Sequence, residues 1–177
     1  MNMELMVMRW LWIQQRCHYV CEQRCPRYFC GSPDVIGVTR SRYVTEIEIK
    51  RSLSDFKADS DKWHRKNRDL YLKQQPRLFY YAVPVDLVEK VKPLLPEWAG
   101  LLKCNPDLIE PVVEVDAPVN KLSKRLEIKE CVKLARQMVS HMMTHATRNH
   151  THTTRFIDRD DLRFVDWTEA ENGTYQI

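Results

Sequence analysis

Glycine is scarce in this chain: four residues in 177, at positions 31, 37, 100 and 173. A phosphate-cradling P-loop and a G-x-G-x-x-G dinucleotide fingerprint both need closely spaced glycines, so neither mode of nucleotide binding is open to it. So few glycines, with 29% charged and 44% hydrophobic residues, also exclude collagenous and linker-like chains. Long apolar runs are missing too. The most apolar stretch, Leu5 to Ile13, contains Arg9 and falls far short of the ~20 residues that span a bilayer. It also lacks the basic leading segment and small-residue cleavage site of a secretory signal, and Glu4 stands at its start, so a cytoplasmic protein without membrane contact is expected. No Ser/His/Asp signature, no C-x2-C pair and no repeat of solenoid length occurs.

What remains suits one globular domain with a tail. A single domain is expected over residues 1–146, followed by a polar C-terminal extension over 147–177. The net charge of +4 has a definite location. Between Lys50 and Lys73 stand eight basic residues against four acidic ones, and the rest of the chain sums to zero. Six cysteines in a cytoplasmic chain read as thiols rather than disulfides. Cys17, Cys21, Cys25 and Cys30 lack the spacing of a zinc or iron–sulfur site, and neither is expected there. His141 and His145 stand one helical turn apart without the glutamate of an H-E-x-x-H zinc motif, which reads as a solvated helix end.

Helical spacing of Leu5, Met8 and Trp12 predicts a buried helix over Met3 to Gln15, and a short strand is expected near Cys17 to Glu22. Asp34 to Thr39 and Tyr43 to Lys50 are β-like runs around the polar triplet Arg40-Ser41-Arg42, which predicts a hairpin. Ser52 and Asp55 have capping-box spacing, and Leu53, Phe56 and Trp63 share a helical face, so a helix is expected from Leu53 to about Arg68. A strand over Arg77 to Val83, a helix led by Pro84 over Val85 to Val91, strands over Gly100 to Cys104 and Pro111 to Val115, and a helix over Arg125 to Ala146 complete the prediction.

The chemistry-bearing stretch is Pro33-Asp34 with Glu46-Ile-Glu48-Ile-Lys50. Alternation along a strand puts Glu46, Glu48 and Lys50 on one face. If Thr39 pairs with Tyr43 around the triplet, partner numbers sum to 82 and Asp34 falls opposite Glu48. Two carboxylates so placed repel each other unless a cation lies between them. Mg²⁺ suits such a site, since it takes oxygen ligands from one or two carboxylates, waters and substrate phosphates. Lys50 would stand beside it and position a water. The competing reading makes the same three residues the solvated face of a half-buried strand.

Pro33-Asp34 with Glu48-Ile49-Lys50 resembles the signature of the PD-(D/E)XK nuclease superfamily. Tyr43-Val-Thr-Glu-Ile-Glu-Ile-Lys-Arg-Ser-Leu-Ser-Asp-Phe-Lys-Ala-Asp, Leu78-Phe-Tyr-Tyr-Ala-Val-Pro84, Pro96-Glu-Trp-Ala-Gly-Leu-Leu102 and, less specifically, Lys133-Leu-Ala-Arg136 are similar to segments of its MmcB-like group of DNA-repair and phage-encoded proteins. The resemblance spans roughly Cys17 to Ala146. It implies an α/β (α+β) restriction-endonuclease-like core, with a central four-stranded mixed sheet flanked by helices. It further implies Mg²⁺, with Mn²⁺ as a substitute, held by Asp34, Glu48 and the backbone carbonyl of Ile49, and assisted by Glu4 or Glu22. Asp34, Glu48 and Lys50 are then the catalytic residues. Arg51, Lys57, Lys62, His64 and Arg65 would contact DNA, through phosphates and with little sequence preference. The implied function is metal-dependent cleavage of DNA in repair, recombination or phage DNA metabolism, with repair proteins as partners. The alternative is a DNA-binding accessory protein on a nuclease scaffold that does not cut. Lys50→Ala is expected to abolish cleavage with folding nearly intact.

Overall fold

All six residues of the segment Val44–Ile49 are buried, as befits a strand covered on both faces. The computed structural model describes residues 2–22, 33–60, 62, 65, 72–73 and 75–150; for residues 21–22, 60, 141–142 and 144–150 it describes the backbone alone. In chain order the elements are α1 (Met3–Ile13), β1 (Cys17–Glu22), β2 (Val35–Thr39), β3 (Val44–Ile49), α2 (Leu53–Ser60), β4 (Leu78–Pro84), α3 (Val88–Val91, between two single 3₁₀ turns), β5 (Gly100–Cys104), β6 (Val112–Val115) and α4 (Ile128–His150).

The strands form one mixed sheet of six in the order of the chain. β1, β2 and β3 pair antiparallel, β3 with β4 and β4 with β5 pair parallel, and β6 returns antiparallel to β5. The expected four-stranded sheet is therefore corrected. β1 and β6 extend it at its two edges, each by antiparallel pairing with its neighbour. Both segments carry the residue pattern of strands, whereas the resemblance implies only four.

Alternation decides what each face meets. Ile47, Ile49, Tyr80, Ala82 and Leu102 pack under α1, whose Met3, Met6, Val7, Trp10 and Leu11 follow an i, i+3, i+4, i+7, i+8 stripe. Asn2 caps that helix by accepting from the Glu4 amide at 3.1 Å. On the opposite face Phe79, Tyr81, Val83 and Leu101 meet Phe56 of α2 with Leu87, Val88 and Val91, while Ile36, Val38 and Val44 meet Cys131 and Leu134 of α4. α2 starts at Ser52, whose hydroxyl accepts from the Asp55 amide at 3.1 Å. The described helix ends at Ser60; of the stretch expected to carry it to Arg68, residues 61, 63–64 and 66–68 lie outside the described residues.

Gly100 shows what scarcity leaves in place. A Cβ there would run into the Tyr80 ring and would stand 2.7 Å from the Ala117 amide nitrogen, so this position tolerates no side chain.

The chain divides into two units, Met1–Met142 and Met143–Ile177. The division falls inside α4, four residues before the expected boundary at 146. The first unit holds the whole sheet. Of the second, only the last turns of α4 are described. Among the described residues no helix is long and apolar enough to cross a membrane.

Candidate active site

The hairpin sets the geometry. Thr39 donates its amide to the Tyr43 carbonyl at 3.0 Å, Arg42 takes φ 65° in the turn, and the strands pair Val35 with Ile47, Ile36 with Glu46, Gly37 with Thr45 and Val38 with Val44. Every pair sums to 82, so the next step places Asp34 opposite Glu48. Asp34 lies just before β2, and its Oδ2 accepts from the Ile49 amide at 2.8 Å. A carboxylate is thereby held at the end of β3, next to the residue whose carbonyl was expected to join the site.

Glu46, Glu48 and Lys50 share the face that carries Phe79 and Tyr81, because β3 runs parallel to β4 with Glu46 beside Phe79 and Glu48 beside Tyr81. This face is not solvated: Glu46, Glu48 and Lys50 are 1%, 3% and 4% exposed. Lys50 Nζ donates to Glu48 Oε2 at 2.9 Å and to Asp59 Oδ1 at 3.2 Å. Asp59, one turn beyond Phe56 on the same side of α2, is the hub. Its oxygens also accept from Lys62 Nζ at 2.5 Å, Arg65 Nε at 3.2 Å and the Tyr81 hydroxyl at 2.9 Å. Arg65 Nη2 donates to Glu46 Oε1 and Glu48 Oε1, both at 3.1 Å, with its guanidinium 4.3 Å above the centre of the Phe79 ring.

These contacts set the ionisation. Burial alone would push the Asp59 carboxyl up, but the Lys62 hydrogen bond, the Arg65 and Lys50 charges and the Tyr81 hydroxyl outweigh it and hold Asp59 well below the usual carboxylate range. Burial is the strongest influence on Glu48 and pushes it up to about 7 against the pull of Lys50 and Arg65. Lys50 is lowered by burial and raised more by Glu48 and Asp59, so it remains an ammonium.

The predicted residues are thus partly assembled. Two contacts stand at the end of β3: Asp34 accepts from the Ile49 amide, and Glu48 accepts from Lys50. Glu4 pairs through Oε1 with Arg51 Nη2 at 2.6 Å, on the helix that covers the other face of the sheet, and its buried Oε2 has no hydrogen-bond partner. Glu22 pairs in register with Val35, beside Asp34; its side chain lies outside the description, as do His64, Cys25 and Cys30. Of the expected DNA contacts, Arg51 is 62% and Lys62 48% exposed, although both are ion-paired, and Lys57 is exposed on α2. Arg65 is corrected: it is buried and turned inward onto three carboxylates, so from this position it cannot meet a phosphate. Lys50→Ala would leave Glu48 Oε2 without its lysine and take one of four donors from Asp59, so a cost in folding is expected from this substitution, beyond the loss of cleavage. Cys17 sits in the apolar core under α1, where burial pushes its thiol up to about 12, far from the thiolate a metal requires.

Asp59 and Tyr81 lie outside the residues that the sequence points to, and Glu46, on the shared face, has no role assigned by it. Asp59 left a usable signal: it stands three residues after Phe56, on the face of α2 that must pack inward.

The donor chemistry at the end of β3, two carboxylates and a backbone carbonyl, suits a hard divalent cation. Among the described residues no three His, Cys, Asp or Glu side chains converge on one point, and both oxygens of Glu48 are engaged by cations. No protein-family model matches the chain, and no curated protein matches it. Its fold is similar to that of a solved protein of unknown function from Silicibacter pomeroyi, with a TM-score of 0.50 and 20% sequence identity over 78% of this chain and 84% of that one. At that identity the similarity bears on fold alone.

Proposed function

We propose that the chain is a divalent-metal-dependent nuclease that hydrolyses phosphodiester bonds in DNA, with a restriction-endonuclease-like core at the centre of its six-stranded sheet. The observation that carries this reading is the end of β3, where Asp34 is tied to the Ile49 amide and Glu48 is in contact with Lys50. Asp34, Glu48 and the Ile49 carbonyl would hold Mg²⁺ or Mn²⁺. Bound there, the cation would supply Lewis-acid polarisation of a phosphoryl oxygen and a water acidified towards neutrality. Lys50, kept protonated between Glu48 and Asp59, acts as a fixed positive charge that orients water and meets negative charge developing on phosphorus; it is not a base. Arg51, Lys57 and Lys62 bind the phosphate backbone, and the family resemblance adds a cytoplasmic role beside DNA-repair proteins or in phage DNA metabolism.

The test is cleavage of supercoiled, linear and single-stranded DNA with Mg²⁺ or Mn²⁺, comparing wild type with Asp34→Asn. Asparagine retains an oxygen to accept from Ile49, so the variant should fold and still bind DNA while cleavage falls by about ten- to a hundredfold. Absence of cleavage by wild type on every DNA form refutes the reading. One observation favours a second reading, a non-cutting DNA-binding accessory protein: Lys50 and both oxygens of Glu48 are engaged inside the protein. That reading predicts salt-sensitive DNA binding unchanged by Glu48→Gln and no cleavage at all.

A further inference from the structure

Arg65 is the least expected member of the buried cluster. It is 6% exposed, stacks on Phe79, and bridges Glu46 and Glu48 with one nitrogen while a second reaches Asp59. Lys50 takes the remaining oxygen of Glu48. Among the described residues three carboxylates, Glu46, Glu48 and Asp59, thus face three cations, Lys50, Lys62 and Arg65, whose formal charges cancel.

We propose that Arg65 is a built-in competitor of the divalent cation: it holds the Glu48 carboxylate that the ion would take and must release it when the ion binds. This rests on the reading of Asp34 and Glu48 as metal ligands. A doubly charged ion on Glu48 with Arg65 still in contact would concentrate positive charge where little water can screen it. Arg65 can leave Glu48 without being stranded, since Glu46 and Asp59 remain as partners. The planar guanidinium suits this position because it stacks on Phe79 while its edge reaches several carboxylates, which an ammonium does not do. Metal affinity is therefore set partly by a residue that never ligates the metal.

Titration calorimetry with Mn²⁺ alone, on the full chain without DNA, tests this. Arg65→Met by itself leaves a buried carboxylate unbalanced and is expected to weaken folding. The charge-balanced pair Arg65→Met with Glu46→Gln removes one charge of each sign and carries the test, its fold checked by circular dichroism. Arg65→Lys, which keeps the charge and loses the fork, provides an independent variant. The expected result is Mn²⁺ binding at least tenfold tighter in the pair variant, a smaller gain in Arg65→Lys, and loss of both gains on adding Glu48→Gln. Unchanged or weaker binding in the folded variants overturns the role of Arg65 and leaves the ligand assignment standing. Mn²⁺ binding that ignores both Asp34→Asn and Glu48→Gln, in wild type and variants alike, overturns the ligand assignment as well.

Discussion

Replacing Asp59 by asparagine perturbs the hub of the buried cluster while changing its volume very little. Asp59 is 1% exposed and accepts from Lys50, Lys62, Arg65 and Tyr81. Lys62 is half exposed, and ion pairs of that kind contribute about 0–1 kcal/mol. Lys50 and Arg65 are buried, and removing one partner from such a pair costs about 3–5 kcal/mol. Both keep another carboxylate, and asparagine still offers the Tyr81 hydroxyl an acceptor, so the low end applies: about 3 kcal/mol at pH 7, a large part of the roughly 5–15 kcal/mol that holds a domain folded. The pH dependence has a definite sign. The carboxyl of Asp59 is depressed on folding, so its stabilisation is fully present above the unfolded value near 3.9 and is lost as pH falls towards the folded one. Urea unfolding of wild type and Asp59→Asn at pH 7, 5 and 3 should give equal differences at the first two values and a smaller one at the third. A difference under about 1 kcal/mol at pH 7, or one that widens on acidification, would show that Asp59 is not an ionised hub.

Two further outcomes follow from the core. Gly100→Ala should destabilise by about 1–3 kcal/mol in the same unfolding assay, since the new methyl meets the Tyr80 ring and the Ala117 backbone; a neutral substitution would contradict that packing. Burial pushes Cys17 and Cys104 up to about 12, so at pH 8 peptides carrying them should resist thiol alkylation in the native protein and label fully in urea, as read by mass spectrometry; fast native labelling would place these thiols at the surface.

Local pattern was enough to locate the strands, the hairpin and its register. Alternation over Glu46 to Lys50 and the Arg40-Ser41-Arg42 turn placed Asp34 opposite Glu48, and the observed pairs follow that numbering. The surroundings of those carboxylates were not legible in the same way. The surplus of Lys and Arg after Lys50 suggested a surface strip, yet Arg65 is buried. Whether a basic residue on a helix faces water or carboxylates depends on the phase at which the helix crosses the sheet, and no local period records that. Tyr81 joins the cluster only because the parallel register brings it beside Glu48, a pairing between residues 33 positions apart.

A sheet whose spatial order repeats the chain order also has consequences for how it forms. β2 and β3 zip through a short return, and so do β5 and β6, whereas β3 to β4 and β4 to β5 must each close a crossover. Loop closure makes such parallel pairings slow relative to hairpins. Asp59 and Arg65 sit within the first crossover and reach partners on both strands it joins. The six charges have their full set of partners only once that crossover is closed. Burying them thus depends on β4, which brings Tyr81 and Phe79 to receive them.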